Sequence, residues 1–181
     1  MDRYVAFIRA VMVGRDGLDR QTLLDCFEHA GAIEPRSYIS TGNVTFSAET
    51  DDVPAVTTDV EEAIEAVVLR RTEVYVRTVA YLEDLVNADP FSSSPVRGSD
   101  QHEVSFTYER IDPGSLDLPI VSPGGHLTVF HANPSEVFCD GLEIDGRRKG
   151  AGGFVERLLD QRLTTRAWST VLRVVDDPDA R

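Results

Sequence analysis

Tyr38-Ile39-Ser40-Thr41-Gly42-Asn43-Val44-Thr45-Phe46 is the stretch whose reading decides the fold. It is an extended segment broken by Gly42-Asn43, two residues that tolerate positive φ, so it predicts two short strands joined by a tight turn. Such strands are antiparallel, and what lies on either side must fit that. Downstream, Glu49, Asp51, Asp52 and Pro54 read as a solvated loop. Thr58 and Glu61 then form an S/T-x-x-E capping box ahead of Val60, Ala63, Ile64, Val67 and Val68, which predicts an amphipathic helix near 58–69. Thr72 to Val79 follows as a strand. Upstream, Tyr4 to Ile8 is short and apolar on both faces, as in a buried strand. Asp19 is placed to cap a helix carrying Leu23, Leu24, Phe27 and Ala30, with Gly31 as its stop.

The first half therefore reads strand, helix, two strands, helix, strand. That is the order of a ferredoxin-like unit, with two helices covering one face of an antiparallel sheet. The second half is less regular. Leu82, Leu85 and Val86 mark a short helix ending near Asp89-Pro90, and Ser92 to Gln101 is a polar linker or mobile loop. Strand patterns return at Val104–Tyr108, Leu127–His131 and Val137–Cys139. Gly152-Gly153 opens a helix containing Phe154, Val155, Leu158, Leu159 and Leu163, and a last helix covers Trp168 to Val175. The expectation is a loosely duplicated α+β chain: one subdomain over 1–79, a second over 80–175, and a frayed tail over 176–181.

The 181 residues (20.0 kDa) are 41% hydrophobic, so a packed core is within reach. Eighteen basic against 31 acidic residues leave a net charge of −13 and a pI near 4.6, which argues against broad nucleic-acid binding through a cationic face. Lys149 is the sole lysine, a bias that fits high-GC coding or a salt-adapted acidic surface. Cys26 and Cys139 are too far apart for a C-x-x-C pair, and no disulfide framework is expected, so a reducing cytoplasm is the expected compartment. The N-terminus has no secretory pattern, and no apolar run reaches the roughly 18 residues that span a bilayer.

Familiar catalytic patterns are missing: no G-x-S-x-G, no H-E-x-x-H and no acidic calcium loop. His29, His102, His126 and His131 lack metal-ligand spacing, so no metal site is expected, and no cofactor is indicated. Cys26 reads as a small core side chain, and Glu61-Glu62 as a solvated helix face. Two clusters remain. Arg147-Arg148-Lys149 stands before the glycine-rich helix start Gly150-Ala151-Gly152-Gly153, where free N–H groups and nearby cations favour an anion. Residues 1–146 carry a net −16 and residues 147–175 a net +5, so the segment either binds an acidic ligand or docks on the acidic remainder of the chain. In the second cluster, Arg166 and Trp168 could hold an anion and a planar ligand, or serve as an ion pair and a core plug.

Several of these segments coincide with the motifs of a bacterial family of domains of unknown function, number 1697. Tyr4 to Gly14 resembles its Y-x-A-L-L-R-G-I-N-V-G-G start, and Ser37 to Phe46 resembles T-Y-x-x-S-G-N-V-x-F. Asn87 to Phe91 is similar to its N-P-F element, His102 to Phe106 to H-x-x-F, and Thr164 to Thr170 to T-T-R-N-W-N-T. The resemblance implies two ferredoxin-like, RRM-like subdomains that exchange a C-terminal strand, and it implies no settled activity or cofactor. Here Ala10, Met12 and Arg15 depart from the first motif, while Ala167 and Ser169 replace both asparagines of the last. Those replacements remove donor and acceptor groups from two motifs. Arg9, Gly14, Gly42, Asn43, Arg166 and Trp168 are retained.

The leading expectation is a binder of a small anionic ligand, with or without catalysis. Its cleft takes charge from Arg9 and Arg166, hydrogen bonds from Asn43 and an apolar wall from Trp168, with Arg147, Arg148 and Lys149 as the other candidates. The alternative is a protein–protein interaction module without chemistry. No membrane partner is expected, and the sequence carries no signal for oligomeric state.

Overall fold

The computed structural model describes residues 1–177. It contains two antiparallel sheets and, among the described residues, five α-helices. None of these helices is long and apolar enough to cross a membrane. The chain divides into two compact units, one of Met1–Asp84 with the segment from Val174 onward, the other of Leu85–Arg173. The division falls past the expected boundary at residue 79, and the chain's last segment groups with the first unit. Of the tail expected over 176–181, residues 178–181 lie outside the described residues.

In the first unit, β1 (Asp2–Ile8), β2 (Ile33–Tyr38), β3 (Asn43–Ala48) and β4 (Val74–Thr78) form a sheet of order β2-β3-β1-β4. β1 is central, antiparallel to both β3 and β4, and its run from Tyr4 to Ile8 is apolar and buried on both faces. Helices α1 (Arg20–His29) and α2 (Val53–Val68) bring Leu23, Phe27, Val60 and Ile64 into one core with Tyr4, Ala6, Val44 and Phe46. Each of the Val, Leu, Ile and Phe side chains among them contributes roughly 1.5–3 kcal/mol of gross burial energy.

Local signals set the helix ends. Asp19 caps α1 by accepting from Thr22 N at 2.8 Å. Gly31, at φ +88°, reverses the chain so that its own N–H bonds Glu28 O while Ala32 N–H bonds Phe27 O, closing a Schellman motif.

The capping box at Thr58 is not a cap. α2 starts five residues earlier, because Pro54 fits the first turn and Val56 already extends the apolar stripe. Thr58 Oγ1 instead bonds Pro54 O inside the helix, at 3.1 Å. Glu61 is no solvated bystander either, since its Oε1 accepts from Val74 N at 2.7 Å and ties α2 to the start of β4. Cys26 belongs to the core, as expected. The strand before the turn runs over 33–38 rather than starting at Tyr38, and the turn occupies 39–42.

In the second unit, β5 (Gln101–Thr107), β6 (Ile120–Val121), β7 (Leu127–Ala132), β8 (Glu136–Gly141) and β9 (Leu163–Ala167) form a sheet of order β6-β7-β8-β5-β9. α4 (Gly152–Leu159) packs Ala151 and Val155 with Leu127, Val129, Val137, Cys139 and Leu163 on one face. The helix does not reach Leu163 as expected. Asp160 takes a left-handed conformation, and the β-branched pair Thr164-Thr165 enters β9. Two helices complete the set: α3 (Val79–Asn87), which spans the division between units, and α5 (Trp168–Val175), at the bounds the sequence predicts. The segment expected as a linker is pinned to β8, because Ser94 Oγ donates to Asp140 and Ser99 Oγ donates to Gly141 O. Each sheet is built from its own unit's strands, so the described residues show no exchanged C-terminal strand.

Candidate functional site

The expected site residues divide between the two units. In the first, Arg9 follows β1. Its N–H donates to Glu73 O at 2.8 Å, and its Nη1 lies 3.5 Å from the buried Glu73 carboxylate. On the other side of the same strand end, Ile8 N donates to Gly42 O at 2.8 Å. Arg9 and the Gly42-Asn43 turn thus flank one end of β1. Gly42 is required there, because at φ +67° an added Cβ would fall 2.4 Å from Val11 Cγ2. Asn43 is fully buried, and its Nδ2 donates to Tyr38 O (3.2 Å) and Thr41 Oγ1 (3.0 Å), bracing the turn.

In the second unit, Arg166 sits on β9 with its guanidinium buried. Nη1 donates to Thr164 Oγ1 at 2.7 Å and to Thr165 O at 2.9 Å. Burial lowers its pKa to about 10, which leaves it charged at neutral pH.

Arg147, Arg148 and Lys149 follow a tight turn at Asp145-Gly146, both at positive φ, and all three are exposed. Arg148 is neutralised. Its Nε donates to Glu143 Oε2 at 2.9 Å and its Nη2 lies 2.5 Å from Asp100 Oδ2, contacts that raise its pKa. Among the described residues neither Arg147 nor Lys149 forms an ion pair. The helix start expected to hold an external anion has an internal one. Glu103 Oε2 accepts from Ala151 N at 2.8 Å and from Gln101 Nε2 at 3.0 Å, while Gln101 also reaches Lys149 O at 2.7 Å.

These segments border one groove of about 400 Å³. β9 pairs with β5 only as far as Glu103, so Gln101 and His102 have no strand beside them on that edge. Arg148, Lys149 and Gly150, together with Trp168, Ser169 and Leu172 of α5, line the space. Ala167 and Ser169, where the resembled motif carries asparagines, are exposed and line it. Two sequence-predicted clusters, Arg148-Lys149 and Trp168, therefore meet here. Arg9 and Asn43 belong to the other unit, and Arg166 is held by threonines of its own strand.

Sequence reasoning missed His102 as more than a rejected metal ligand, and missed Asp140 and Phe91. His102 and Asp140 are opposite one another in the β5–β8 register, with Nδ1 2.5 Å from Oδ1. The Phe91 ring lies 4.8 Å from the imidazole and 5.3 Å from the Trp168 indole. Phe91, His102 and Trp168 come from three separate motif segments, and that common origin was the one available signal. Cys139 is buried beneath the sheet with its thiol pushed up to about 12, by desolvation first, which leaves it unreactive.

No curated protein sequence matches the chain. Among solved structures it is similar to the conserved bacterial protein SP0830 from Streptococcus pneumoniae, at 16% sequence identity and a TM-score of 0.64, with 97% of each chain covered. At that identity the likeness speaks for the fold alone. The family model described as protein of unknown function (DUF1697) matches residues 1–133, which include Phe91 and His102 but not Trp168. With well over half of its length so matched, the chain belongs to the DUF1697 family of proteins of unknown function.

Proposed function

We propose that the protein binds a small anionic ligand in the groove between the Gln101–Glu103 edge of β5, the 148–150 loop and the start of α5. The observation that carries this reading is Lys149. It is the chain's one lysine, exposed, without an ion pair among the described residues, and it lines the same groove as Trp168. Arg148 contributes less, being already paired with Asp100 and Glu143. Arg9, Asn43 and Arg166 stay outside this assignment, because their contacts serve a strand end, a turn and a buried strand.

We read the scaffold as two ferredoxin-like, RRM-like units in tandem. The order β4-β1-β3-β2 in the first recurs as β9-β5-β8-β7 in the second, where β6 is added at the edge and a short 3-10 helix at Pro113–Ser115, rather than an α-helix, lies between β5 and β7. Two buried, free cysteines suit a cytoplasmic setting.

Thermal denaturation with orthophosphate, citrate and phenyl phosphate tests the binding reading. A ligand at about 100 times its Kd stabilises by about 2.7 kcal/mol. At least one should raise the melting temperature of the wild type. The shift should be lost in Lys149→Ala, whose own melting temperature should match the wild type because Lys149 is exposed. A panel without effect, or an equal shift in the variant, overturns the proposal.

A further inference from the structure

We infer, resting on the anion-binding reading above, that His102 is the second ligand contact in this groove, and that it selects an oxyanion carrying its own O–H donor. The imidazole is fixed on two sides. Nδ1 lies 2.5 Å from Asp140 Oδ1, and the Phe91 ring centre is 4.8 Å from that of the imidazole. The Asp140 side chain is fully buried, and its second oxygen accepts from Ser94 Oγ. A carboxylate so placed is an acceptor only, so Nδ1 carries the proton and donates. The other nitrogen, Nε2, is left with a lone pair. It has no partner among the described residues, and it belongs to a side chain 40% exposed that lines the groove.

A ligand must therefore offer acceptor oxygens to Lys149 and a donor to Nε2. Hydrogen phosphate and 2-hydroxy carboxylates carry both. Sulfate and simple carboxylates carry only acceptors, which would set lone pair against lone pair.

Titration calorimetry at pH 7.5 with two matched pairs, hydrogen phosphate against sulfate and glycolate against acetate, tests this and separates the two ligand sources. The hydroxyl-bearing member of the pair that fits should bind about tenfold more tightly than its partner. In His102→Asn, whose amide nitrogen can still reach Asp140, that preference should fall to within about twofold. Nitrogen-15 spectra of the wild-type histidines give an independent readout: His102 should be protonated at Nδ1, and Nε2 should shift when the favoured anion is added. Equal binding within both pairs, a preference that survives His102→Asn, or a proton on Nε2 overturns the inference. If an anion binds in a Lys149-dependent way without touching Nε2, only this inference falls. If none of the four binds while citrate or phenyl phosphate still gives a Lys149-dependent thermal shift, only this inference falls; if those fail as well, the anion-binding reading falls with it.

Discussion

Replacing Gly42 by alanine tests whether the turn that decides the fold is held by packing as well as by backbone conformation. Two costs are separable in the structure. Gly42 sits at φ +67°, and a left-handed L-residue costs about 1–2 kcal/mol. The added Cβ would also lie 2.4 Å from Val11 Cγ2, 3.2 Å from Ile8 Cβ and 3.3 Å from Ile8 O. Neither neighbour yields easily. Ile8 is fully buried and its N–H is bonded to Gly42 O, while Val11 is a buried β-branched side chain with stiff χ1. Overpacking of this kind costs about 1–3 kcal/mol, so Gly42→Ala should lose about 2–5 kcal/mol in all. Gly31→Ala is the reference: φ is +88° there, but nothing lies within 4 Å of the added Cβ, so only the conformational cost of about 1–2 kcal/mol applies. Urea denaturation followed by far-UV circular dichroism gives both values, and exchange of the Ile8 amide reports on the turn itself. Equal losses in the two variants, within about 0.5 kcal/mol, would refute the packing argument, since additive, well-separated sites agree to about that margin.

Glu61→Ala should destabilise by about 1–3 kcal/mol and speed exchange of the Val74 amide, because the variant removes that amide's acceptor. Glu61→Gln, which keeps an oxygen in place, should lose markedly less. Cys139 should resist a thiol reagent at pH 8 in the native protein and react only on unfolding. Its thiol titrates near 12 when folded against 9.0 in the unfolded chain, so the unfolded state gives up its proton first. Stability should therefore fall as pH rises from about 9 toward 12, and Cys139→Ala should flatten that part of the pH profile.

The first unit was legible in the sequence because its signals are local. An Asp N-cap, a glycine at a Schellman stop, a central strand apolar on both faces and a Gly-Asn turn each act within a few residues, where sequence neighbours are also spatial neighbours. The same locality misled at Thr58, where a capping box lost to Pro54 and an apolar stripe that begins earlier. The second unit was less legible. β9 reads as a continuation of α4 until the left-handed Asp160 ends the helix, a competition that the sheet edge of β5 decides.

The site divides in the same way. Its cations and its indole were visible as residue types, and the resemblance marked Phe91, His102 and Trp168 as members of separate motifs. Only the tertiary structure decided that Glu103 occupies the helix start, that Asp100 and Glu143 neutralise Arg148, and that Lys149 stays unpaired among the described residues. It alone set Asp140 opposite His102, 38 positions apart in the chain. The physical reason is that composition and periodicity fix which face of an element is buried. Which charge meets which is settled by strand register and loop closure between segments distant in sequence.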